Sequence, residues 1–177
     1  MDFPVTFEKI FVMPDRTEIL NHEEALLKLN RIAYEIVENN LEHKEIVLLG
    51  IHERGCDMAG HLKSRIQEIS KLKVHLGSIR INKSEPLQCL IEAGFDVKGK
   101  AVIVVDDVAN SGRTALYAMR PLLETLPAKI QLAVLVDRRH KQFPVTSDFV
   151  GIQLSTDLHQ EIIVERNREG QWSAYMR

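Results

Sequence analysis

Two adjacent carboxylates, Asp106 and Asp107, stand at the end of the most strongly β-forming stretch of the chain, AVIVV at 101–105. Alternation along a strand sends neighbouring side chains to opposite faces, so the two acids are expected to act differently unless the strand has already ended. Ala109, Asn110, Ser111 and Gly112 follow, small enough for the backbone to curl closely around a ligand, and Arg113 and Thr114 open a helical pattern. Backbone N–H groups at a helix start, with Ser and Thr hydroxyls beside them, form a phosphate cradle. Vicinal acids next to such a cradle suit a phosphorylated sugar. The carboxylates accept hydrogen bonds from two ribose hydroxyls while the loop holds the 5′-phosphate, each charge-assisted bond being worth roughly 1.5–3 kcal/mol. Two other readings of the same stretch are a Walker B strand and a solvated acidic turn. The first needs an upstream GxxxxGK[ST] loop, and the sequence has none.

The elements that must position these residues alternate between strand and helix, which predicts an α/β fold with a largely parallel sheet. A helix is expected over 23–39, where Leu26, Leu29, Ile32, Ala33, Ile36 and Val37 share one face. Asn21 is placed as its N-cap, with Glu24 in the capping-box position. A buried strand over 45–49 leads through IHERG (51–55) into a second helix, and 73–79 reads as the next strand. Residues 82–99 are polar and poorly periodic and read as an excursion with a helical turn near 87–91. After strand 101–105 come a helix over 113–126 ended by Pro127, a strand over 131–136, and shorter strands near 149–150, 162–164 and 172–176.

With 177 residues, no repeat and no interdomain linker, the chain reads as one domain. Apolar residues make up 45% and charged residues 27%, the composition of a folded protein rather than a disordered one. A formal net charge of −2 predicts no strong non-specific attraction to nucleic acid or membrane, though it allows a local basic patch. No apolar run approaches the roughly 20 residues needed to span a bilayer. The start MDFPVTFEKI lacks the basic and apolar blocks of a signal peptide. Cys56 and Cys89 offer no disulfide framework, so a cytoplasmic protein with two reduced packing cysteines is expected. The seven histidines show no metal-ligand spacing.

The stretch VIVVDDVANSGRT (102–114) resembles the phosphoribosyl-diphosphate (PRPP) signature of type I phosphoribosyltransferases. The resemblance extends to the bifunctional pyrimidine operon regulator and uracil phosphoribosyltransferase family. ILNHEEALLKLNRIAYEIVENN (19–40), LLGIHERGCDMAGHL (48–62) and IQLAVLVDRRHKQFPVTSDFVGI (130–152) follow the family's order. It implies a parallel-sheet phosphoribosyltransferase type I fold, with helices on both faces and a small hood contributed by about 137–160. It also implies a flexible catalytic loop at about 80–97.

Carried over residue by residue, the resemblance makes 51–55 the diphosphate loop, often built on a non-proline cis peptide. Arg54 and Gly55 fit the pattern. Glu53 stands where a hydroxyl residue is common, so it either points away or lies near Mg²⁺. The catalytic set implied is Arg54, Asp106 and Asp107. Glu53, Arg54, Gly55, Arg80, Asp106, Asp107, Ala109, Asn110, Ser111, Gly112, Arg113, Thr114, Asp137 and Arg138 are the implied substrate contacts. Arg80 and Lys83 are candidates for the diphosphate, in a loop shorter than that of the pyrimidine branch and without its acidic pair. Mg²⁺ is the implied cofactor, met by Asp106 and Asp107 mostly through substrate and water. Asn110 stands where 6-oxopurine enzymes carry an Asp toward purine N7. An amide is no general acid at neutral pH, which argues against hypoxanthine and guanine.

The expected activity is therefore uracil plus PRPP giving UMP and diphosphate, in a homodimer or higher homo-oligomer. Two alternatives stay open. One is an RNA-binding attenuator of pyrimidine genes, for which Arg138, Arg139, His140 and Lys141 make the densest basic run. The other is a catalytically silent nucleotide binder.

Overall fold

The computed structural model describes residues 16–82, 85–156 and 160–177. Its centre is a six-stranded sheet in the order β4-β3-β2-β5-β6-β7. The strands are β2 (Glu45–Ile51), β3 (Lys73–Ile81), β4 (Cys89–Glu92), β5 (Ala101–Ala109), β6 (Lys129–Arg138) and β7 (Phe149–Leu154). All neighbours pair in parallel except β3 and β4. β1 (Thr17–Leu20), β8 (Ile162–Arg166) and β9 (Trp172–Met176) form a separate antiparallel sheet in the order β1-β9-β8.

Strands β2, β5 and β6 are buried almost throughout, because helices cover both faces. Ile46, Leu48, Ile103, Val105 and Leu135 pack toward α1 (His22–Glu38) and α2 (His52–Ile69). Val47, Leu49, Val102, Val104 and Val134 pack toward α3 (Arg113–Leu123) on the other face. The Asn21–Glu24 capping box of α1 forms as expected: each backbone N–H donates to the other's side-chain oxygen at 3.0 Å, an arrangement worth about 1 kcal/mol.

The chain leaves β2 toward β3 on one side and takes up β5 on the other, so the strand order reverses between β2 and β5. Open α/β sheets bind ligands at such a switch point, outside the carboxyl ends of the strands.

Several expectations are corrected. The region 87–91 holds no helical turn: Cys89–Glu92 pairs with β3, Ser78 opposite Glu92 and Arg80 opposite Leu90. Lys83 lies outside the described residues. α3 stops at Leu123 rather than 126. Pro121 supplies no N–H to its last turn, and Leu126, before Pro127, takes a positive φ of 52°. No cis peptide occurs among the described residues; in 51–55 the turn is made by His52, at φ 54°.

Within the expected hood, Asp137 and Arg138 complete β6, Gln142 and Phe143 reach the Ser111 carbonyl beside the mouth of the switch point, and Phe149–Leu154 adds β7 to the main sheet. The layer beside that mouth comes from β8, with β9 and β1 behind it. Leu20, Ile162, Val164, Trp172 and Ala174 fasten this small sheet to the core under α1 and α2.

Candidate active site

A cleft of about 950 Å³ opens at the carboxyl ends of β2, β3 and β5, where α2 and α3 begin. Three arms of backbone build it.

The first arm is the passage from β2 into α2. A side chain at Gly50 would put its Cβ 2.4 Å from the Cα of Cys56, and one at Gly55 would sit 2.5 Å from the carbonyl oxygen of Val105. Only hydrogen fits at either place, so α2 starts directly against the end of β5. His52 turns the chain at φ 54°, a left-handed conformation that costs a β-carbon-bearing residue on the order of 1–2 kcal/mol. No side chain caps α2, and Ile51, His52, Glu53 and Arg54 line the cleft. The N–H groups of a first helical turn have no partner within the helix and favour an anion.

The second arm is the end of β5. Asp107 shares the strand face of Val105, toward α2, and its Oδ2 lies 3.5 Å from Arg54 Nη1. Asp106 alternates to the other face, is 8% exposed, and accepts the Asp107 N–H on its Oδ1 at 3.0 Å. The two acids thus take different places, as alternation requires.

The third arm is the loop from Ala109 to the start of α3. Gly112 caps the helix with φ 80°, a conformation open to glycine and strained for other residues. The Ser111 hydroxyl accepts from Arg113 N–H at 3.3 Å. From outside, Gln142 and Phe143 both donate their N–H to the Ser111 carbonyl, at 3.0 and 3.1 Å. Residues 141–143 therefore buttress this loop. Asn110 lines the cleft with a side-chain oxygen that is buried and has no hydrogen-bond partner.

Arg80 comes from the end of β3, where Glu92 of β4 holds its guanidinium at 2.9 Å. Cys56 lies at the base of α2 with Sγ 3.4 Å from the Gly50 carbonyl oxygen. Burial raises its thiol pKa, and the charges of Asp57 and Glu92 raise it further. It stays protonated at neutral pH and is unsuited to nucleophilic attack.

Glu53, Arg54, Arg80, Asp106, Asp107, Ala109, Asn110, Ser111, Gly112 and Thr114 therefore meet in one cleft. Gly55 lies beneath it. Besides Gly55, three expected contacts are not among its lining residues. The Arg113 guanidinium turns outward over the Tyr117 ring, 6.0 Å from its centroid. Asp137 is 3% exposed and accepts from Lys141 Nζ at 2.5 Å, Ser147 Oγ at 3.0 Å and Gln153 Nε2 at 3.3 Å. Arg138, beside it at the end of β6, also lies away from the lining. The cleft adds His52, Cys56, Ser78 and Glu92, and from β8 and the residue before it Glu161, Ile162, Ile163 and Val164. Nothing local in the sequence marks the last four; they reach the cleft only through the small sheet.

Among the described residues no cluster of three or more His, Cys, Asp or Glu could cage a metal ion. Mg²⁺ does not ask for one, since it is usually held by one or two carboxylates together with water and substrate phosphates. The lining acids Glu53, Glu92, Asp106, Asp107 and Glu161 outnumber Arg54 and Arg80. That excess fits a divalent ion shared with an anionic ligand.

A doubly wound sheet with paired carboxylates and a glycine-turned helix start at its switch point defines an α/β protein of the kind that binds ligands outside the carboxyl ends of its strands. The chain belongs to the phosphoribosyl transferase domain family, whose model it matches over residues 15–166. It is 36% identical over 155 residues to the pyrimidine operon regulatory protein of Lactococcus lactis subsp. lactis, covering 85% of this chain and 90% of that protein. It is 39% identical over 152 residues to the bifunctional protein PyrR of Enterococcus faecalis, covering 80% of this chain and 85% of that one. Among solved structures, a hypoxanthine-guanine phosphoribosyltransferase from Bacillus anthracis superposes with a TM-score of 0.73 at 20% identity, over 91% of this chain and 99% of that one. The hypoxanthine phosphoribosyltransferase of Trypanosoma cruzi gives 0.70 at 17% identity, over 78% and 82%. At such identities these likenesses speak for the fold alone.

Proposed function

We propose that this protein transfers the phosphoribosyl group of PRPP to uracil, giving UMP and diphosphate. The observation that carries the reading is the meeting of Arg54 and Asp107 across the β2–β5 crevice, at 3.5 Å, beside the Gly112-turned loop. It sets a diphosphate-side cation against a ribose-side acid, with a phosphate cradle within the same cleft.

In this reading, the amides between Ala109 and Thr114 hold the 5′-phosphate, and Asp106 and Asp107 accept the ribose hydroxyls. Arg54 and the first turn of α2 face the diphosphate, and Arg80 approaches it from β3. The bond between the anomeric carbon and the diphosphate oxygen breaks through an oxocarbenium-like state, and uracil N1 bonds that carbon as its proton passes to solvent. No covalent nucleophile is required; the residues supply position and electrostatics. Asp106 and Asp107 would hold Mg²⁺, mostly through water and substrate, and the ion would supply neutralisation of the leaving diphosphate. Ile162, Ile163 and Val164 form the wall nearest the base. Asn110, an amide rather than an acid, favours a pyrimidine over a 6-oxopurine. A cytoplasmic location and self-association belong to the same reading.

The test is release of diphosphate from PRPP and Mg²⁺ with a panel of nucleobases. Uracil is expected to give the fastest release. No release with any base, alongside retained UMP binding, would leave the chain a nucleotide binder.

A second reading is regulation of pyrimidine genes through RNA. It is favoured by relatives that bear the name pyrimidine operon regulatory protein and by the exposed Arg139 and His140 that follow β6. Lys141 is less available to it, being bonded to Asp137. Binding to a pyrimidine leader transcript should weaken steeply with salt and strengthen with UMP. Equal weak binding to a scrambled RNA, indifferent to UMP, would remove this reading.

A further inference from the structure

We propose that Glu92 is a positioning residue that competes with the anionic substrate for Arg80; this rests on the reading of the cleft as a PRPP site. Ser78 and Glu92 are direct partners across the β3–β4 ladder, with Arg80 one diagonal step away. Side chains two residues apart on a strand share a face, and diagonal pairs lie within reach of long side chains. Ser78, Arg80 and Glu92 all line the cleft. The contacts follow this geometry: Arg80 Nη2 reaches the Glu92 oxygens at 2.9 and 3.2 Å, and Ser78 Oγ donates to the same carboxylate at 3.3 Å.

The pair is also weak. The two side chains are 74% and 45% exposed, and ion pairs in contact with water contribute little. A diphosphate entering the cleft offers Arg80 more negative charge than one carboxylate does, so the guanidinium changes partner at small cost. Arg54 stands in the same relation to Asp107, but Asp107 has the ribose to attend to in the reading above. Glu92 comes from the edge strand and has no such second task. Its effect is to keep Arg80 on the cleft wall and to lower the affinity for the anion.

The experiment is a double-mutant cycle of Glu92→Gln and Arg80→Ala. Its readouts are steady-state kinetics with PRPP and calorimetric titration with inorganic diphosphate and Mg²⁺. Glu92→Gln is expected to lower KM for PRPP and Kd for diphosphate about two- to fivefold, with the change falling on KM rather than kcat. In the Arg80→Ala background the gain should shrink to within experimental error. A gain of equal size in that background would overturn the proposal and make Glu92 a diffuse charge. A rise in KM on Glu92→Gln would overturn it by making Glu92 an aid to Arg80, as would a wild type that binds no diphosphate. If PRPP is not turned over with any base while the diphosphate cycle behaves as described, the proposed activity fails and the competition stands.

Discussion

Gly55, in the first turn of α2, lies against Val105 of β5 so closely that a methyl group on it would come 2.5 Å from the Val105 carbonyl oxygen. The contact fixes where Arg54, one residue earlier, meets Asp107, two residues after Val105. Gly55→Ala sets two effects against each other. In a helix Ala is favoured over Gly by about 1 kcal/mol, whereas overpacking against rigid backbone costs typically 1–3 kcal/mol. The clash should win. Urea unfolding should show net destabilisation, and PRPP titration should show weaker binding from the displaced α2 start. Unchanged affinity would separate this contact from the site.

The two acids are expected to fail separately. Asp107→Asn removes the partner of Arg54, and Asp106→Asn removes the buried acid that accepts the Asp107 N–H. Each should weaken PRPP binding about tenfold or more, the scale of one charge-assisted hydrogen bond. Thermal unfolding should stay close to wild type for Asp107→Asn. Calorimetry with PRPP and Mg²⁺ gives the answer. Because PRPP is itself an anion, tighter binding in either variant would mean that the acids only repel it.

Base choice turns on Asn110. Its side-chain oxygen is buried without a partner and its residue lines the cleft, so a carboxylate there would change what the pocket can donate. Purine kcat/KM is expected to lie far below that for uracil in the wild type. Asn110→Asp should narrow the gap by raising hypoxanthine turnover. Hypoxanthine or guanine matching uracil in the unaltered protein would reverse the ranking.

At the opposite end of the sheet, Glu45 accepts from His75 Nε2 at 2.9 Å and pairs with Lys100 Nζ at 2.9 Å. The His75 hydrogen bond, then that of Lys100, pull its pKa from the ordinary 4.5 to about 2. A carboxyl with a depressed folded-state pKa stabilises the fold above its unfolded value and loses that contribution as pH falls toward the folded one. The stability gap between wild type and Glu45→Gln should therefore be full above about pH 5 and close between pH 4.5 and 2. Denaturant melts at a series of acid pH values measure it. A gap that stays constant across that range would contradict the assignment.

Much of this was legible because the informative residues are contiguous. The β-branched run of β5, its two acids and the small loop after them fall within 102–114, where strand, switch-point position and cradle are all local properties. The capping box of α1 is local too. What stayed hidden depends on distant pairing. β4 is four residues long and lies at a sheet edge, half exposed, so its pattern carries no clear period. Glu92 enters the cleft only through that pairing. Ile162, Ile163 and Val164 look like any short strand until β9 and α1 place them. Asp137 was drawn toward the substrate by its place in the sequence; the structure gives its oxygens to Lys141, Ser147 and Gln153 instead.

The small sheet joins Thr17 to Met176 and Ile162 to Met176, so one strand near each end of the described chain is needed to complete it. Closing so long a loop is entropically slow, and such contacts form after local ones. The β2–α2–β3 and β5–α3–β6 units involve near neighbours and can assemble first, carrying Arg54, Asp106, Asp107 and the Gly112 loop with them. During synthesis β1 must wait for β9, its partner from far along the chain. The phosphate-facing half of the cleft can therefore take shape while the chain is still growing, and the β8 wall arrives only after it, once β9 is made.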